Sequence, residues 1–124
     1  MTTRDCREHC LFSGPSFRAR IISPADVAAL QRFFDPALFH RAWNEVDISA
    51  GDGTLRRIDR LVEFKQPNDA LWVLDYKSSG SDTARLDAYR AQVADYCRAV
   101  AAVFPGRAVR GALIFADTTL LEVR

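Results

Sequence analysis

Apolar residues recur along the chain with two different periods, and the change of period marks the elements. Residues 1 to about 20 are polar, with "SGPS" at 13–16 as a loop. "SPADVAALQRFF" places Ser23 before Pro24, an N-cap followed by proline at the first helical position. Val27, Leu30, Phe33 and Phe34 then follow at helical spacing. The pattern predicts a short amphipathic helix, which "PALFHRAW" extends by another turn or two. "WNEVDIS" and "TLRRIDRLVEF" flank the glycine-rich "AGDGTL" and read as a β-hairpin, and the turn "KQPND" leads into a third strand, "ALWVLDYKS". After "SSGSDT" comes the longest helix, "ARLDAYRAQVADYCRAVAAVF", closed by Pro105 and Gly106. Its core stripe is Leu86, Val93, Cys97, Val100 and Phe104. "RAVRGALIFA" and "LLEVR" supply a fourth and a fifth strand.

Three strands in a meander, a long helix and two more strands predict an α/β (α+β) domain with a central mixed sheet flanked by helices. A polar N-terminal segment, 1–20, precedes one folded domain, 21–124. With 124 residues and 48% apolar content the chain has room for one core. A formal net charge of +1 gives no global basic field, so nucleic-acid binding would have to come from a local patch. Three cysteines, Cys6, Cys10 and Cys97, are too few and odd in number for a disulfide framework. No apolar run is long enough to span a bilayer, and the start "MTTRDCREHC" lacks the apolar stretch of a signal peptide. The expected location is therefore cytoplasmic, with no membrane partner. "CREHC" offers no second Cys or His pair at the spacing of a structural zinc site.

The third strand ends unusually, with Asp75 and Lys77 closing an apolar run. Period-2 geometry puts Val73, Asp75 and Lys77 on one side and Trp72, Leu74 and Tyr76 on the other. Asp59 breaks the second strand in the same way. Carboxylates on neighbouring strands suit a hard divalent cation, because Mg²⁺ commonly takes one or two carboxylates plus waters and phosphate oxygens. A lysine beside such an ion can orient the attacking water or contact a phosphate. Of seventeen basic residues only Lys65 and Lys77 are lysines, and an ammonium is the compact donor whose proton affinity can be tuned. The competing account is an ordinary strand-end ion pair worth about 0–1 kcal/mol, with Asp59 bridged by Arg57 or Arg60. On the long helix a second, amphiphilic stripe runs through Arg85, Tyr89, Gln92 and Tyr96.

Three motifs in order, "GTLRRIDRLV", "WVLDYKS" and "QVADY", resemble the RecB-like branch of the PD-(D/E)XK nuclease superfamily, over about residues 43–116. That branch includes nuclease domains of bacterial helicase–nuclease recombination machines. The resemblance implies a restriction-endonuclease-like core and Mg²⁺- (or Mn²⁺-) dependent hydrolysis of DNA phosphodiesters, with exonuclease action in DNA repair or recombination. It implies that Asp59, Asp75 and the backbone carbonyl of Tyr76 bind metal, that Lys77 is the catalytic lysine, and that Gln92 and Tyr96 help place the DNA strand. Arg85 and Tyr89 are added here as candidate phosphate or base contacts. The family's further ligand, a His or Glu from an upstream helix, has no clear counterpart; Glu45, His40, Glu8 and His9 are the available residues. No G-x-x-x-x-G-K-[ST] pattern occurs, so a helicase partner would reside on another chain or domain. The alternative is a catalytically weak DNA- or protein-binding domain on the same fold.

Overall fold

The computed structural model describes residues 24–49, 53–66, 68–78 and 83–123. The polar segment 1–20, with Glu8, His9, Cys6 and Cys10, the N-cap Ser23 and loop residues 79–82 lie outside them. The elements run α1 (Pro24–Phe34), β1 (Arg41–Ser49), β2 (Leu55–Glu63), β3 (Leu71–Lys77), α2 (Thr83–Val103), β4 (Val109–Phe115) and β5 (Leu120–Val123). The five strands form one sheet in sequence order. β1, β2 and β3 pair antiparallel, as do β4 and β5, while β3 and β4 are parallel. A parallel neighbour needs a crossover, and α2 is that crossover. The fold is thus α+β with a mixed sheet flanked by helices.

Alternation along β3 sorts the core into two layers. Trp72 and Leu74 pack with Leu30 and Phe33 of α1, together with Phe39 and Ile114. Leu71 and Val73 pack on the other side with Ala99 and Val100 of α2, and Leu113 and Phe115 meet Val93 there. β3 is buried along nearly its whole length, as a strand covered on both faces must be.

Two expectations need correction. "PALFHRAW" does not prolong α1: residues 36–38 are a turn and β1 begins at Arg41. Pro36 has no N–H to continue the helix, and the Asp35 carboxylate accepts a hydrogen bond from the Ala37 N–H at 2.9 Å, closing a tight turn. His40 is accordingly no helical residue; it is exposed and its N–H donates to the Glu63 carbonyl as the chain enters the sheet.

Alternation in β1 and β2 fails at one matched position. Asn44 pairs with Arg60 and Val46 with Ile58, but Glu45 and Asp59 between them do not pair. Glu45 has φ of 51°, a conformation uncommon for a residue with a Cβ. Trp43, Val46 and Ile48 consequently share a layer with Ile58 and Leu61, although a regular strand would separate them. Arg60 is turned to the α1 side, where it is 1% exposed. Its guanidinium donates to the Phe33 carbonyl (3.0 and 2.7 Å) and to Asn44 Oδ1 (2.8 Å). A buried cation thus satisfies a carbonyl in the last turn of α1, where the helix dipole favours positive charge.

Candidate active site at the open edge of the β2–β3 ladder

The register of β2 and β3 runs Val62 with Trp72, Leu61 with Val73 and Arg60 with Leu74, and stops there. One step further would set Asp59 opposite Asp75. At that step the strands part, and side chain replaces backbone: the Tyr76 N–H, which has left the ladder, donates to Asp59 Oδ2 at 2.9 Å. The two acids that interrupt the apolar strands therefore mark where the ladder opens.

Burial makes this pair costly. Asp75 is 4% exposed. Its Oδ2 lies 2.9 Å from Lys77 Nζ, an ion pair that offsets part of the cost. Asp59 is pushed up to about 6, first by burial and then by hydrogen bonding and charge from Asp75, against the Tyr76 N–H and the Lys77 ammonium. Two carboxyls this close resist ionising together.

Lys77 joins the acids to α2. Its ammonium donates to Gln92 Oε1 at 2.9 Å, Gln92 Nε2 donates to the Tyr96 hydroxyl at 2.9 Å, and the Tyr89 ring centroid is 4.5 Å from Nζ. Gln92 and Tyr96 stand one helical turn apart, which is why one polar file can run along the helix. Burial and the charges of Asp75 and Asp59 raise the Tyr96 hydroxyl above its usual range, so it keeps its proton as a donor. The structure thus gathers Asp59, Asp75, Lys77, Gln92 and Tyr96 into one cluster, with Tyr89 beside it. Arg85 is exposed on α2.

The ordinary ion-pair account of Asp59 does not hold. Arg57 pairs with Asp47 (3.0 Å) and Arg60 with the Phe33 carbonyl and Asn44. Glu45 and His40 do not complete a metal centre: among the described residues no three Asp, Glu, His or Cys side chains gather in a way that could hold an ion. The donor set present is two carboxylates, of which the buried Asp75 also lies 2.9 Å from the Lys77 ammonium. That set fits Mg²⁺, whose remaining positions are commonly water and phosphate oxygens.

A further tie between strand and helix is not singled out by the motif pattern. Arg56 of β2 grips Asp95 of α2 through two hydrogen bonds, 2.6 and 3.3 Å, and so ties the helix carrying Gln92 and Tyr96 to the strand carrying Asp59. Both partners lie inside the motifs already singled out, and their opposite charges were the available signal. No family model matches the chain, and no curated protein matches it. No helix among the described residues is long and apolar enough to cross a membrane.

Proposed function

We propose that the protein is a metal-dependent DNA nuclease of the RecB-like type, with the restriction-endonuclease-like version of the α+β fold, acting on strand ends. The observation that carries this reading is the parting of β2 and β3 at Asp59 and Asp75, with Lys77, Gln92 and Tyr96 arrayed beside the gap. Asp59 and Asp75 would hold Mg²⁺ or Mn²⁺, with the Tyr76 carbonyl as a further ligand. Such an ion lowers the pKa of a bound water and offsets charge on a phosphoryl oxygen. Lys77, already 2.9 Å from Asp75, orients the attacking water and stabilises developing negative charge. Gln92 accepts a hydrogen bond from the same ammonium, and the Tyr96 hydroxyl, accepting from Gln92, keeps its own proton for a phosphate oxygen. Near-neutral net charge suits a domain to which a helicase on another chain delivers the strand.

The two-acid donor set favours a second reading, a catalytically weak domain that grips DNA or a protein. Incubating linear single- and double-stranded DNA and closed circles with Mn²⁺ separates the two. Wild type should degrade linear DNA and spare circles, while Asp75→Ala and Lys77→Ala should each lose at least about a hundredfold in rate. Equal cleavage by the variants would sink the nuclease assignment, and binding without cleavage under any metal would establish the second reading.

A further inference from the structure

The layer that α1 covers carries a concave surface, on the opposite side of the sheet from Asp75. Arg32, Leu38, Phe64, Asp69, Trp72 and Arg110 line a cavity of about 370 Å³. Its lining is aromatic at Trp72 and Phe64, cationic at Arg32 and Arg110, and acidic at Asp69. The Arg32 guanidinium lies 4.8 Å from the Trp72 ring centroid and 5.1 Å from that of Phe64, and Arg110 lies 5.1 Å from Trp72. Arg110 owes its place to strand register, because it is the β4 partner of Trp72. Arg32 owes its place to the last turn of α1.

Two like charges gathered on one indole repel each other, and they are answered unequally. Glu122 forms an ion pair with Arg110. Asp69 and Glu122 act on Arg32 through space alone, while burial and the neighbouring Arg110 depress its proton affinity. An oxyanion seated between the guanidiniums would offset this repulsion. Planar guanidinium forks suit tetrahedral phosphate well, since each offers paired donors. Beside them the apolar rim is accessible: Leu38 is 46% exposed and Phe64 is half-buried. A volume of this size falls within the range of small-molecule sites.

We propose that this cavity binds a phosphate-bearing nucleotide, with the phosphate between Arg32 and Arg110 and the sugar or base against Phe64 and Leu38. The nucleotide is either free or the end of a strand. This site is independent of the nuclease assignment, for it shares no residue with the Asp59–Asp75 cluster.

Titration of the full chain in EDTA at low salt tests it, using AMP, adenosine, inorganic phosphate, a 5′-phosphorylated hexanucleotide and an acidic hexapeptide. Binding is read by calorimetry and by the Trp72 indole N–H resonance. AMP should bind saturably and at least about tenfold more tightly than adenosine, and Arg32→Gln and Arg110→Gln should each weaken AMP at least about tenfold with unfolding temperature retained. A hexanucleotide tighter than AMP identifies a strand end as the ligand, and the reverse order identifies a free nucleotide. Adenosine binding as well as AMP, the acidic peptide binding as tightly, or no saturation by about 10 mM AMP would each overturn the proposal. Should a variant unfold, the wild-type resonance decides: AMP shifts that spare Trp72 and cluster elsewhere are equally fatal to it.

Discussion

Asp59 is a half-buried carboxyl that faces a second acid, and under the proposed reading it would have to carry charge to bind a cation. Its pKa of about 6 lies above the unfolded value of about 3.9, so between these limits the folded chain holds a proton that the unfolded chain has shed. Stability from this group is complete below about pH 4 and is lost as pH rises through about 6. Asp59→Asn should abolish this fall and be more stable than wild type above pH 6 without metal. Urea unfolding from pH 4 to 7.5 in EDTA, taken as the difference between the two proteins, measures it. Subtraction removes carboxylates acting in the opposite sense, such as Glu63, whose burial is outweighed by Arg107 and Arg41 so that its pKa is lowered. Parallel curves for the two proteins would refute the account. Asp75 and Lys77 stood out in the sequence because they close an apolar run, and Asp59 because it breaks a strand pattern. Arg60 did not, because an arginine's letter carries no sign that it will bury itself against a helix end.

At the scale of elements, the site depends on how closely α2 lies on β4. Gly111 sets that distance: a Cβ there would stand 2.4 Å from Val93 Cγ1 and 2.8 Å from Cys97 Sγ. Val93 is β-branched and fully buried, so it has little freedom to yield. Gly111→Ala should cost about 1–3 kcal/mol and lift α2, carrying Gln92 away from Lys77. Adding Val93→Ala to it should recover part of both the stability, by thermal unfolding, and the Lys77–Gln92 contact, by activity. No loss in the single variant would mean that the helix is seated less tightly. The strands and α2 were legible because their apolar periods are long and bounded by glycine or proline turns. Two things were not: the stop at Pro36, where local turn chemistry overrode an apolar pattern, and the face change at Glu45 and Asp59. There "RRIDRLV" has apolar residues at 58, 61 and 62, a spacing that no unbroken strand can bury on one side.

Over the whole molecule, the parted ladder brings two acids together at a cost in stability. Asp75 is buried and Asp59 half-buried, and their mutual repulsion weakens the protein unless positive charge offsets it; Lys77, 2.9 Å from Asp75 Oδ2, offsets part of it. If the gap serves a divalent ion, the ion must stabilise the entire fold, because a ligand bound only by the native state shifts global unfolding by mass action. At a hundredfold excess over Kd this amounts to about 2.7 kcal/mol, on the order of 10 °C in Tm for a chain of this size. Removing one acid should reverse the order: Asp75→Asn is expected to melt above wild type in EDTA at pH 8, and below it in saturating Mg²⁺ or Mn²⁺. Differential scanning calorimetry of both proteins with and without metal contains the whole test, independent of any cleavage assay. If the two melting curves do not cross over, Asp75 is a structural partner of Lys77 and no ion belongs between the strands.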